Sequence, residues 1–340
     1  MLNSCKKRGR RTFAFAMAVI VIVAIAAFAK QEENRASASP TSAGEGGSRY
    51  HVLLMGQDEA AGLTDVMMLV SVDTESGRVC LAQIPRDTYF RYTKKDYKKI
   101  NGAMGALGGA EQVCRALEKA FSVEIDAYVL LDLDFVRSAV DMMGGVEIDV
   151  PCDMHYEDPA QGLSIHIKKG RQVLRGAEAV EFVRFRSGYI RGDLGRMDAQ
   201  KLFLSAFFEA AGKTLGDDVP RLAMLAMRSV KTDMRVDRVI SLLRAARTIS
   251  PESITLLTLP GEEVQSPYSG AWYYVLSRRG TAAVLEEHFG VVGASACIDP
   301  AHLFSNAARK DLESVYRREI LPIYYTVSEL RKNGLTVPSY

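Results

Sequence analysis

Polar residues gather at four places where an apolar run of this chain begins or ends. Gly56-Gln57-Asp58 closes His51-Val-Leu-Leu-Met, and Thr64-Asp65 opens Val66-Met-Met-Leu-Val-Ser-Val. Two carboxylates across such a turn can converge on a hard divalent ion. Mg²⁺ takes only one or two carboxylates when phosphate oxygens complete its shell. The plainer reading makes Asp58 a turn residue and Asp65 a strand cap. Ile84-Pro85-Arg86-Asp87-Thr88 sets a guanidinium just past a buried strand, where it can grip a phosphate with two parallel hydrogen bonds. A surface ion pair with Asp87 is the alternative. The fourth place is Arg184-Phe185-Arg186, followed by Gly192-Asp193-Leu194-Gly195-Arg196 and Gln200. An extended Val183–Arg186 would turn both arginines to one face and Phe185 into the core. Arg191 and Arg196 flank the start of the next helix, whose N-terminus is itself an anion site. These arginines suggest a pocket for a polyanion; a solvated charged loop is the competing reading.

The elements that must hold these groups can be read from periodicity. Short strands are expected at His51–Gly56, Asp65–Asp73 and Gly77–Pro85, the last two joined as a hairpin through Thr74-Glu-Ser-Gly77. Val113, Leu117 and Ala120 recur at helical spacing within Ala110–Ala120. A strand from Tyr128, a helix Phe135–Met143 ended by Gly144-Gly145, and an edge strand Val146–Val150 stopped by Pro151 follow. A long helix is expected at Asp193–Leu215, then helices near Pro220–Val230 and Val236–Thr248. A strand Ile254–Leu259 and a helix Gly280–Phe289 complete this stretch. The fold class is α/β, a mixed central sheet flanked by helices. Beyond Asp299, Leu312, Val315, Tyr316 and Ile320 keep helical spacing until Pro322.

The ends place the domain. Lys6, Lys7, Arg8, Arg10 and Arg11 precede an unbroken apolar run of about 17 residues, Phe13–Ala29, long enough to span a hydrocarbon core. Cations before the run put the N-terminus in the cytoplasm and the body outside. Ala27-Phe28-Ala29 also resembles a cleavage site, but the length of the run favours an uncleaved anchor. The expected division is a cytoplasmic end at 1–11, a transmembrane helix at 12–29 and a Ser/Gly-rich flexible linker at 30–49. A catalytic domain at 50–290 and a helical tail at 291–340 follow. Setting the five leading cations aside from the net charge of +2 leaves about −3 for the rest, which argues against nucleic-acid binding. Cys80 and Cys114 read as core, and a Cys152–Cys297 disulfide is open.

Taken in order, Leu-Leu-Met-Gly-Gln-Asp, Thr-Asp-Val-Met-Met-Leu, Ile-Pro-Arg-Asp-Thr, Lys99-Ile-Asn-Gly-Ala, Gly-Gly-Val-Glu-Ile-Asp-Val-Pro and Arg-Phe-Arg…Gly-Asp-Leu-Gly-Arg-Met-Asp-Ala-Gln resemble the LytR-CpsA-Psr family of bacterial envelope proteins. The resemblance runs from Val52 to Phe208. It implies a membrane-anchored phosphotransferase that moves a glycopolymer, such as a teichoic acid or capsule, from a polyprenyl-pyrophosphate carrier to peptidoglycan and releases polyprenyl phosphate. Asp65, Arg86, Arg184, Arg186 and Arg196 would be catalytic, with Asp58 and Asp65 on Mg²⁺ or, in its place, Mn²⁺. Asp87, Lys99, Asn101, Asp193 and Gln200 would bind or orient the substrate. Phe203 and Phe207 would line a slot for the lipid. Members commonly carry arginines near both aspartates, where this chain has Glu59-Ala60-Ala61 and Gly62-Leu63-Thr64. No Ser–His or Cys–His base stands out, which leaves Asp65 as the candidate proton acceptor. The alternatives are a polyprenyl-pyrophosphate phosphatase and a non-catalytic envelope lipid-binding or regulatory protein.

Overall fold

The computed structural model describes residues 49–58, 63–91, 97–159, 163–235, 238, 242, 249–265, 270–294 and 317–335. The apolar run Phe13–Ala29 and Cys297 lie outside them. Among the described residues no helix is long and apolar enough to cross a membrane.

Strands β1 (Arg49–Asp58), β2 (Leu63–Asp73) and β3 (Val79–Gln83) form an antiparallel meander. Asp73 caps the β2–β3 turn, its Oδ1 accepting the backbone N–H groups of Glu75 and Ser76. The small strands β4 (Tyr89–Arg91) and β5 (Tyr97–Lys99) follow, then helices α1 (Ala103–Leu107) and α2 (Ala110–Phe121). Next come β6 (Ala127–Leu131) and α3 (Leu133–Met142), which starts where Asp132 accepts the Phe135 N–H. Strands β7 (Val146–Val150), β8 (Met154–Asp158), β9 (Leu163–Ile167) and β10 (Gly170–Leu174) lead to α4 (Gly176–Arg184) and the long α5 (Asp193–Ser229). The chain continues through β11 (Val230–Thr232), β12 (Ile254–Thr258), β13 (Gly261–Gln265), β14 (Trp272–Leu276) and α6 (Arg278–Phe289). It closes with β15 (Tyr324–Thr326) and α7 (Val327–Asn333).

The central sheet has the order β11-β6-β1-β2-β3-β12-β15, with β1–β6 and β3–β12 parallel and the other pairs antiparallel. Alternation along each strand feeds two cores. Val52, Met68, Val70 and Val129 face α3, α4 and α5, while Leu53, Met55, Met67 and Leu69 face α2 and α6. Cys80 and Cys114 sit buried in the second core, and burial pushes their thiols up, Cys114 to about 12, so they are packing groups. Cys152 is a free thiol.

Val146–Val150 is an edge strand as expected, paired with β10 in a separate two-stranded sheet. Two expectations change. The helix begun at Asp193 runs through Pro220 to Ser229; a proline removes one hydrogen bond and bends a helix without having to end it. Part of the tail is sheet, because Tyr324–Thr326 returns to pair with β12. Helix α7 then packs Val327 and Leu330 into the first core.

Helix α4 docks on α3 through Gly176, whose N–H donates to Asp141 Oδ1 at 2.8 Å. A Cβ there would lie 2.2 Å from the Arg137 carbonyl oxygen, so the contact requires glycine. Gly176→Ala is expected to lower stability by about 1–3 kcal/mol in urea unfolding. An unchanged midpoint would show that α4 can shift away from α3.

Candidate functional site

The site begins at an irregularity in the β1–β2 ladder. Gly56 pairs with Val66 but Gln57 pairs with Thr64, so Asp65 is an extra residue in β2. Such a bulge re-aims the side chains beside it. Without it, Asp65 would share the face of Met67 and Leu69; with it, Asp65 and Val66 both line one cleft. Gly56 allows the close approach, since a Cβ would stand 3.2 Å from the Val66 Cβ.

That cleft has a volume of about 610 Å³ and lies on the α3–α4–α5 side of the sheet. Its polar end holds Asp65, Arg86, Arg184, Arg186, Arg196 and Gln200. Its apolar wall comes from β1, β2 and β6 through Leu54, Met68 and Leu131, and from α3 through Leu133 and Val136. Phe203 and Leu204 on α5, with Tyr156 and Leu163 on the β8–β9 hairpin, close the other sides.

Charges alternate along the polar end. Asp65 Oδ1 lies 2.6 Å from Arg86 Nη1. Arg86 Nε is 3.1 Å from Asp193 Oδ1, and Arg196 Nη2 reaches the same oxygen at 2.8 Å. Asp193 is the first residue of α5, where the helix N-terminus favours a carboxylate. Burial opposes the Arg86 charge, but Asp193, Asp65 and Asp87 outweigh it and hold its pKa above the ordinary value. Arg196, only 6 % exposed, is lowered by burial, which Asp193 only partly offsets. Arg196 Nε is a buried donor without a hydrogen-bond acceptor, and Arg86 Nε meets Asp193 only as an ion pair off the hydrogen-bonding line, states that a ligand oxygen can relieve. The two aspartates balance Arg86 and Arg196. Arg184 and Arg186 make no ion pair among the described residues, and with Asp132 the other carboxylate of the lining, the cleft keeps a net positive charge.

The arginines converge by another route than an extended segment. Arg184 is the last residue of α4, and the chain leaves the helix at Phe185, which is buried while Arg186 is exposed. Arg191 turns away: its Nη1 is 3.7 Å from Asp198 Oδ2, and both line a separate cavity of about 140 Å³ with Lys201. Burial lowers the Lys201 pKa, opposed by its 2.6 Å contact with Asp198.

Asp87, Lys99 and Asn101 do not line the cleft. Lys99 Nζ lies 3.0 Å from Asp87 Oδ1, and the Asn101 N–H donates to the Arg86 carbonyl at 3.1 Å, so they pin the loop that presents Arg86. Phe203 lines the cleft, but Phe207, one turn further along α5, is packed in the core against Phe203 and Phe208. Asp58 ends β1 opposite Leu63; its side chain lies outside the described residues. Among the described residues no three metal-ligating side chains converge. A divalent ion would therefore take Asp65 together with ligand oxygens, the donor set Mg²⁺ accepts.

Two features went unread in the sequence. Gln83 Nε2 donates to Gln200 Oε1 at 3.3 Å, and Gln200 Nε2 to the Val183 carbonyl at 3.3 Å, tying β3 and α5 to the end of α4. Thr258 Oγ1 extends the link to Gln83 at 3.2 Å. A lone glutamine in the apolar run Val79–Ile84 was the available signal. Tyr156 and Leu163 had none, because only the fold brings their hairpin to the cleft.

A family model described as the LytR_cpsA_psr family matches residues 19–289, most of the chain. The chain belongs to this family. Among LytR_cpsA_psr relatives, TagV of Bacillus subtilis (strain 168), a polyisoprenyl-teichoic acid–peptidoglycan teichoic acid transferase, is 27% identical over 235 residues. That match covers 66% of this chain and 60% of TagV, less than two thirds of its length. TagU of Oceanobacillus iheyensis, named for the same activity, is 28% identical over 242 residues, 67% of this chain and 71% of TagU. The crystal structure of B. subtilis TagV superposes with a TM-score of 0.59 at 24% identity, covering 77% of this chain and 100% of that one. TagT bound to LI-WTA gives 0.57 at 22% identity, with 74% and 95% covered. The LytR_cpsA_psr fold is thus shared at this distance.

Proposed function

We propose that this protein transfers a glycopolymer from a polyprenyl-pyrophosphate carrier to a hydroxyl of peptidoglycan and releases polyprenyl phosphate. One observation carries the reading: a single cleft joins a cationic end, with Arg184 and Arg186 unpaired among the described residues, to an apolar wall. A lipid with a pyrophosphate head has that same division. The names of the TagV and TagU relatives support the polymer and the acceptor.

In this reading Arg184 and Arg186 bind the pyrophosphate, and Arg86 and Arg196, held by Asp193, stabilise charge that builds on its oxygens during transfer. The acceptor hydroxyl attacks the phosphorus that bears the sugar. The bond from that phosphorus to the bridging oxygen breaks, polyprenyl phosphate leaves, and the hydroxyl proton passes to Asp65. Asp65, with Asp58, is where Mg²⁺ would be held, and the ion would neutralise phosphate charge. Phe203, Leu204 and Val136 take the first part of the lipid chain. The apolar run Phe13–Ala29 keeps the domain on the bilayer that holds its donor, which raises the local donor concentration.

The test is equilibrium binding of a polyprenyl pyrophosphate to the full chain. Arg184→Ala and Arg186→Ala are each expected to weaken binding about 10- to 100-fold, the effect of one charge-assisted hydrogen bond. Affinity unchanged in both variants would remove the head group from this cleft.

A further inference from the structure

The β8–β9 hairpin has a second cluster of chemistry on its outer face, away from the cleft. His155 and His166 are directly opposite in the antiparallel register, as are Glu157 and Ser164. All four side chains are exposed. The two Nδ1 atoms stand 2.8 Å apart, and the rings are 4.6 Å apart between centroids. His166 points its other nitrogen, Nε2, at Glu157 Oε1 at 2.5 Å. Ser164 Oγ donates to the same carboxylate oxygen at 2.8 Å.

We propose that this face binds a late first-row divalent ion, Zn²⁺ foremost, through Nδ1 of His155 and Nδ1 of His166. Two nitrogens this close can share only one proton, so at least one already presents a lone pair. Zn–N bonds of 2.0–2.1 Å in a tetrahedral ion set the nitrogens about 3.3 Å apart. A small turn of exposed rings supplies the difference. Imidazole pairs suit Zn²⁺, Cu²⁺ and Ni²⁺ over Mg²⁺. The Glu157 contact fixes the remaining His166 nitrogen as a donor, which leaves Nδ1 free for metal. A carboxylate behind a ligating histidine orients the ring and raises its basicity. Glu181 lies close enough to His166 to add further negative charge nearby.

With two nitrogens and no third protein ligand converging among the described residues, water completes the shell. The ion is therefore exchangeable, unlike a four-ligand structural zinc. Its effect would reach the cleft, because Tyr156 and Leu163 of the same two strands line it. A metal joining β8 to β9 stiffens that wall. The binding itself does not depend on the proposed transferase reading.

The experiment is calorimetric titration of the full chain with ZnCl₂ in phosphate-free buffer, alongside His155→Ala, His166→Ala, Glu157→Gln and Asp65→Asn. The expected result is a site with one Zn²⁺ equivalent, lost in both histidine variants and kept in Asp65→Asn. Glu157→Gln should bind 10–100-fold more weakly, as such supporting partners do. The metal-free variants should unfold at the wild-type temperature, since these side chains are exposed. No binding by the wild type, or binding that survives both histidine changes, overturns the proposal. So does a site lost in Asp65→Asn but kept in the histidine variants.

Discussion

Asp65→Asn is expected to lower transfer by about 10³-fold while leaving the unfolding midpoint nearly unchanged. Two effects combine in the activity. Asparagine cannot accept the hydroxyl proton, and removing a positioned base costs roughly 10²–10⁴ in rate. It also removes a carboxylate that lines the cleft beside the arginines, where it could hold a divalent ion. Stability responds differently because the Asp65 side chain is 34% exposed. Its pair with Arg86 is open to water, and such pairs contribute about 1 kcal/mol or less. Arg86 keeps Asp193 in either case. Steady-state transfer and thermal unfolding on the same preparation separate the two quantities. Activity within tenfold of wild type would remove Asp65 from the chemistry.

Asp193→Ala should show the reverse balance, with a large loss of stability. Asp193 is 5 % exposed and touches Arg86 and Arg196 through one oxygen. Removing it leaves Arg196, itself buried, without its ion-pair partner among the described residues, and strips a favourable carboxylate from the start of α5. Breaking a buried pair from one side costs about 3–5 kcal/mol. Adding Arg196→Met should restore part of that, since the stranded charge goes with it. Urea unfolding of the single and double variants makes the comparison. If the double variant is as unstable as the sum of the single changes, the two residues do not act as a pair. Transfer falls in both, because Arg86 loses its anchor.

Much of the frame was legible because alternation and turn chemistry are local. The β2–β3 hairpin follows from Asp73 and Gly77, and the start of α5 from Gly192-Asp193. The four arginines of the cleft were legible as residue types, and the structure brings all four to one place. How they arrive was not. Arg184 comes from a helix end, which no local pattern distinguished from a strand in Val183–Arg186. The bulge at Asp65 is a property of the pairing between two strands, so β2 alone does not reveal it. Phe203 and Phe207 share a helix face, and only the packing of α5 decides that one lines the cleft and the other the core. The return of Tyr324–Thr326 to the sheet depends on a partner some 70 positions earlier in the chain.

Transfer by this cleft would move a sugar-bearing phosphate to peptidoglycan. The most direct measurement supplies full-length protein with lipid-linked glycopolymer labelled at the phosphate next to the sugar, with and without peptidoglycan. Label is expected on peptidoglycan, with equal release of polyprenyl monophosphate, only when the acceptor is present, and little of either with Arg184→Ala. Release of free glycosyl phosphate at the same rate without acceptor would show a hydrolase instead. No turnover in either condition, with binding of the lipid intact, would contradict catalysis altogether.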